Sequence, residues 1–410
     1  MPTSHPSSND VASDTTTGPL AGIRVLELGT LIAGPFASRM LGEFGAEVVK
    51  VETPGTGDPI RKWRVLHEGN SLWWAVQARN KKSITLNLKS PEGLSVLKKL
   101  LATTDILVEN FRPGQLEKWG LSPEALHALN PGLIVVRLSG YGQTGPYKDR
   151  PGFGAIAESI GGMRFLSGEV DKPPVRVGIS IGDSLAGLHA VIGALLALQH
   201  RHKTGKGQVV DVALYESVFN MMESLLPEYD FAGVVRQRSG ASLPGIVPSN
   251  TYTCGDGGYI VIGGNGDAIF KRLMVAIGRN DFAESPEMAT NDGRVKHTAL
   301  IDDTIAQWCA QRPIDEALAV LENADVPVSK IYSIADIVQD PQFAARGMLE
   351  EHPFADGKTL KVPGVVPKLS DTPGGTRWLG PALGEHTDAV LRGLGYGDEE
   401  IAAFRRGGVV

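Results

Sequence analysis

The chain has 410 residues, with 50 glycines and 26 prolines but no Gly-X-Y period, which excludes a collagen-like rod. Its 42% apolar and 21% charged residues suit a folded soluble protein of two or three domains, and a net charge of −6 excludes a broad basic surface for nucleic acid. Two cysteines, Cys254 and Cys309, form neither CxxC nor a zinc spacing, which points to a disulfide-free cytoplasmic protein.

Residues 1–18 read as a disordered tail: Met1 to Thr17 is rich in Ser, Thr, Pro and Asp and carries no Lys or Arg. A large domain is expected over 19–215. Ile23 to Leu28 predicts a strand, Gly29 to Pro35 a turn-rich loop, Phe36 to Phe44 a helix and Ala46 to Glu52 a second strand. The pattern repeats with a strand at Ser83 to Asn87, a helix opened by Ser90, a strand at Ile106 to Glu109, a helix from Pro123 and a strand at Leu133 to Ser139. Asp183 to His202 is the strongest predicted helix, and Val209 to Leu214 a strand after it. Its most apolar part, Leu185 to Leu198, is too short to span a bilayer. Alternating strands and helices predict an α/β fold with a doubly wound, mostly parallel sheet. Residues 225–330 read as a smaller α+β domain, 340–380 as an extended connection and 381–410 as helices returning to the large domain.

The sequence contains no HExxH and no P-loop, and Gly29 and Gly34 after the first strand do not form GxGxxG, so the first strand–loop–helix unit lacks the dinucleotide fingerprint. Asp183, in Ile181-Gly182-Asp183-Ser184, stands where an extended segment meets the long helix. Capping alone accounts for such a residue; a carboxylate at a helix start facing a cleft can also be a nucleophile or base. Gly263-Gly264-Asn265-Gly266 reads as a hairpin turn, or as a flexible loop that closes over reactants. Basic residues cluster at 61–64, at 79–82 and at Arg112 with Lys118. They are either solvated charges or contacts to a phosphorylated ligand at the carboxyl edge of the sheet.

Taken in order, LAGIRVLELG, AGPFASRMLGEFGAEVVKVE, GDPIR, RNKKSITLNLK, VENFRPG, LSGYGQTGPY, GISIGDSLAGLHA, RHKTGKGQVVDVALYE and LGEHTDAVLRGLG resemble the class III CoA-transferase (CaiB/BaiF, formyl-CoA transferase) family from Leu20 onward. The resemblance implies a Rossmann-like large domain built from both termini, a smaller domain, and an interlocked ring-like homodimer. It implies an acyl-CoA:carboxylate CoA-transferase with Asp183 as the nucleophile. CoA and acyl-CoA enter as substrates, with no permanent cofactor, metal, nucleic acid or membrane partner. CoA contacts are implied at Ala33, Ala78, Arg79, Asn80, Lys81, Asn110, Phe111, Arg112, Lys118 and Phe153, and a mobile loop at Gly263, Gly264, Asn265 and Gly266. Similarity of PSNTY and GGNGDAIFKRLM to dicarboxylate-using members implies succinyl-CoA as donor and an acceptor such as glutarate, itaconate or mesaconate.

Three positions depart from the family pattern. Ile32 replaces the Gln of oxalate-using members, Thr53 a basic residue, and Gly154 an acid found in many members. The rival readings are a racemase or epimerase of the same superfamily and a non-catalytic CoA-binding protein. The first needs a Gly-His-Asp stretch where this chain has Gly152-Phe153-Gly154, and so lacks the proton-shuttling His. The intact Gly182-Asp183-Ser184 speaks against the second.

Overall fold

A computed structural model describes residues 17–410; nearly all of the expected tail lies outside the described residues. The chain divides into two compact units. The first takes in the described residues up to 162 with Gly178–Glu223 and Ala345–Val410, the second Met163–Val177 with Ser224–Ala344.

Six parallel strands form the sheet of the first unit: β1 (Arg24–Glu27), β2 (Glu47–Glu52), β3 (Lys81–Thr85), β4 (Ile106–Glu109), β5 (Ile134–Ser139) and β6 (Val209–Ala213). Their spatial order is β3-β2-β1-β4-β5-β6, the doubly wound arrangement, which reverses direction between β1 and β4. Every residue of β4 and β5 is buried, which is why they read as near-continuous apolar runs. Alternate residues serve opposite faces. Leu26, Val51, Leu107 and Val135 pack with Val96, Leu97 and Leu101 of helix α2 (Pro91–Leu101) and with Leu391 and Ile401 near the C-terminus. Val48 and Val108 face Gly42 and Gly34 of α1 (Ala33–Glu43).

Helix α3 (Ile181–Thr204) lies on α1 and on β5 and β6. Gly187 permits the close approach: a Cβ there would stand 2.7 Å from the Phe36 ring and 3.1 Å from the Ala33 carbonyl. At 24 residues it is longer than the sequence suggested, and by length and composition long enough to cross a membrane. Here one side packs on protein, while Leu188, Ile192, Leu195 and Leu196 stay exposed.

The edge strand β3 is covered by distant chain. Ser83 donates its N–H to His386 Nδ1 (3.2 Å), Thr85 donates to Thr387 Oγ1 (3.0 Å), and the Trp378 indole donates to the Lys81 carbonyl (3.0 Å). Within the expected extended connection, Leu349–Pro353 and Thr359–Pro363 pair as an antiparallel hairpin.

In the second unit, three antiparallel strands in the order Val328–Lys330, Tyr259–Gly263, Ser249–Thr253 pack with helices around Ile260, Ile262, Phe270, Leu273, Ile301, Ile305 and Leu321.

Candidate active site

The loops that leave β1 and β4 part company where the strand order reverses, and the crevice between them is built from short local bonds. Asn110 clamps Thr30 twice: its Oδ1 accepts the Thr30 N–H (2.9 Å) and its Nδ2 donates to the Thr30 carbonyl (2.8 Å). Leu31 is left-handed at φ 66°, an unfavourable backbone for a branched residue, and Asp58 accepts its N–H on both carboxylate oxygens (3.1 and 3.2 Å). Buried Lys50 ties this loop to the sheet. Its Nζ donates to the Gly29 carbonyl and to Glu27 (2.7 Å each) and pairs with Asp58 at 2.9 Å. Burial would discharge the Lys50 ammonium, but Glu27, Asp58 and Glu52 outweigh it and hold its pKa above the ordinary lysine value.

The crevice opens into a cavity of about 190 Å³ lined by Leu31, Ile32, Ala33, Asn110, Phe111, Arg112, Phe153 and Asp183, among others. The sequence-based expectations for Asp183, Ala33, Asn110, Phe111, Arg112 and Phe153 therefore meet in one place. Asp183 is not the N-cap. Helix α3 starts two residues earlier with Ser180 at the cap, so Asp183 is its third residue and its carboxylate sits in the first turn, where the helix dipole favours negative charge. The carboxylate also abuts Gly154, which opens helix Gly154–Ile160. Lys148 and Arg150 join Arg112 in lining this cavity, giving it three cations.

A second cavity, of about 480 Å³, shares Thr30 and Phe111 with the first and lies past the carboxyl ends of β1, β2 and β3. Lys50, Thr53, Leu86, Leu88, Lys89 and Trp119 help line it, and Phe111 meets Trp119 edge to face at 5.2 Å. Lys89 and Trp119 were not singled out from the sequence; Lys89 closes the stretch RNKKSITLNLK, which held the signal.

Ala78, Arg79, Asn80, Lys81 and Lys118 line neither cavity. Ala78 is buried. Arg79 donates to Glu43 (2.6 Å) and to the Pro363 carbonyl (2.6 Å), and Asn80 to the Gly375 carbonyl (2.7 Å). Lys81 donates to the Pro35 carbonyl (2.7 Å) and pairs with Glu27. These residues open β3 and so lie at the amino edge of the sheet, opposite the ligand-binding edge. Lys118 is exposed on a short helix.

Gly263, Gly264, Asn265 and Gly266 are not a hairpin. They join strand Tyr259–Gly263 to helix Asp267–Ala276, and none has positive φ. Gly264 donates to the Pro248 carbonyl (3.0 Å), and fully buried Arg294 donates to the Asn265 carbonyl (2.6 Å).

The sequence pattern of CoA-transferase family III matches residues 20–387. A succinyl-CoA–D-citramalate CoA-transferase of Chloroflexus aurantiacus is 49% identical over 94% of this chain and 97% of its own length. The beta subunit of a succinyl-CoA–L-malate CoA-transferase from the same organism is 45% identical over 95% and 98%. Among solved structures, a CaiB/BaiF family protein from Brucella suis superposes with a TM-score of 0.82 at 34% identity, covering 92% of this chain and all of that one.

Proposed function

This chain belongs to CoA-transferase family III, and on that footing we propose that it moves CoA from succinyl-CoA to a small dicarboxylic acid, with Asp183 as the covalent carrier. The observation that carries this is the Asp183 carboxylate itself, at a helix start inside a cavity at the point where the strand order reverses. The activities of the relatives, on citramalate and malate, support a dicarboxylate and extend the acceptor class to hydroxy acids.

A carboxylate oxygen of Asp183 attacks the thioester carbonyl of the donor. The C–S bond breaks, giving an aspartyl–succinyl anhydride and CoA thiolate. The thiolate attacks the aspartyl carbonyl, expels succinate and leaves an aspartyl-CoA thioester. The acceptor carboxylate attacks that thioester, forms a second anhydride and frees the thiolate again. The thiolate then attacks the acceptor carbonyl, and Asp183 regains its carboxylate. Each exchange trades one acyl derivative for another of similar energy.

CoA is proposed to lie along the pair of cavities. The thioester end belongs beside Asp183, and the nucleotide end in the larger cavity, where Lys89 can meet phosphate and Phe111 lies between the two ends. Gly263, Gly264, Asn265 and Gly266 are proposed as the loop that covers the reacting groups. The exposed apolar stripe of α3 supports a homodimer, and the unpaired buried thiols fit a cytoplasmic setting.

The test is to incubate the protein with succinyl-CoA and a panel of citramalate, malate, glutarate, itaconate and mesaconate. Mass spectrometry then follows new acyl-CoAs and CoA bound to the Asp183 peptide. Asp183→Ala abolishes both; transfer at the normal rate by that variant refutes the covalent role. Deuterium entering Cα of an acyl-CoA without transfer identifies a racemase instead.

A further inference from the structure

The cavity that holds Asp183 has more positive than negative groups in its wall. Among the described residues Asp183 is the single acid lining it, against the cations Arg112, Lys148 and Arg150. These cations come from two sides. Arg112 follows β4 and adjoins Phe111, which lines both this cavity and the larger one. Lys148 and Arg150 belong to the loop that leaves β5, and they line the Asp183 cavity but not the larger one. In the strand order β3-β2-β1-β4-β5-β6 the larger cavity lies past β1, β2 and β3. A molecule that extends from it past the crevice between β1 and β4 therefore has the β5 loop ahead of it.

Arg150 is placed without the help of an acid. Its N–H donates to the Tyr147 carbonyl (2.9 Å), its guanidinium lies over the Tyr147 ring at 3.6 Å, and that ring meets Tyr141 edge to face at 5.8 Å. The two ends of the loop are packed together: a Cβ on Gly140 would stand 2.9 Å from the Gly152 Cα, and one on Gly152 3.0 Å from the Tyr141 ring. No carboxylate pairs with Arg150 among the described residues, and neighbouring Asp149 does not line the cavity. A guanidinium stacked on a ring face keeps its N–H edge for a ligand. Arg150 is also tied to the reacting group along the chain. Gly154, four residues on, abuts the Asp183 carboxylate, and four residues span at most ~14 Å when fully extended. The same cavity wall includes Ile32, Leu138, Phe153 and Leu214, an apolar surface suited to methylenes.

We propose that Arg150 binds the distal carboxylate of the dicarboxylic acyl group while its other carboxyl reacts at Asp183. A planar guanidinium and a carboxylate match in two parallel hydrogen bonds, and Lys148 adds positive charge in the same cavity. Arg150 thereby selects dicarboxylic over monocarboxylic substrates, and Arg112 is left to CoA. This inference rests on the transferase reading given above.

The test follows exchange of isotope-labelled succinate into succinyl-CoA, and of labelled butyrate into butyryl-CoA, by wild type and Arg150→Gln. Calorimetry measures the affinity for CoA, and for succinate and butyrate with CoA present. Arg150 is exposed, so its variant keeps the fold, and a melting curve verifies this. Losing a charge-assisted pair lowers kcat/KM for succinate by at least ~10-fold relative to butyrate, while CoA affinity stays within about twofold. The proposal is overturned if both exchanges fall by the same factor, if neither changes, or if CoA affinity falls instead. Should wild type exchange no acid at all, the transferase reading fails; in that case, or if butyrate alone is not exchanged, the calorimetry decides the role of Arg150 by itself. Wild type holding succinate more tightly than butyrate, with the difference lost in Arg150→Gln, upholds it. A difference that survives the substitution, or is absent in wild type, refutes it.

Discussion

Gly154 and Asp183 are so close that a Cβ on residue 154 would stand 2.0 Å from Oδ2 of Asp183 and 2.7 Å from its Cγ. The departure from the acid carried by many family members is thus a packing requirement here: any side chain at 154 displaces the carboxylate. Gly154→Ala is expected to lower the transfer rate about 100-fold, the cost of shifting a reacting group by roughly 1 Å, with CoA binding retained. A wild-type rate in a steady-state assay would show that Asp183 reacts from another position.

Lys50 neutralises Glu27 and Asp58 inside the protein. Lys50→Met leaves buried carboxylates short of a counter-ion, and Asp58 then holds the strained Leu31 loop less firmly. The expected loss is about 3–5 kcal/mol in denaturant unfolding. A variant as stable as wild type would mean that water or another cation takes the place of Lys50.

Acid should remove a related part of the stability. Burial raises the carboxyl pKa of Glu27 and of Glu52, but Lys50 and Lys81 around the first, and Arg61 and Lys50 around the second, hold both below the ordinary glutamate value. A folded-state pKa below the unfolded one gives stability that is complete above the unfolded value of 4.5 and is lost as pH falls through the lower folded values. Denaturant midpoints measured downward from about pH 5 should fall for wild type and fall less for Glu27→Gln. Midpoints independent of pH over that range would contradict the assignment.

Leu196 is 66% exposed and Ile192 54%, one turn apart on α3. If this stripe packs on a second copy, Leu196→Glu yields a monomer in sedimentation velocity while wild type sediments as a dimer. A wild-type monomer rules the interface out.

Burial raises the Cys309 thiol to about 12 and shifts Cys254 in the same direction. Neither should react with an aromatic disulfide reagent near pH 8 until the protein unfolds, since the thiolate is the nucleophile. Rapid labelling of native protein would count against this packing of the second unit.

The strands and α3 were legible because doubly covered parallel strands and a long packed helix demand apolar runs, as in Ile134–Ser139. Asp183 was legible through its motif, although its place in the first turn, two residues inside the helix start, was not. The basic run 79–82 misled because the residue types alone do not say which end of a strand they occupy. Arg79 and Lys81 are consumed by Glu43 and Glu27, partners 36 and 54 positions earlier in the chain.

The cover over β3 also bears on how the protein is made. Thr85 receives its partner from Thr387, 302 positions later. At ~5–20 residues per second, a ribosome takes about 15–60 s to supply it. For that interval the nascent sheet has an unpaired edge, open to strands of other chains. Until residues near 387 emerge, a chaperone or a slow start to sheet assembly has to protect that edge.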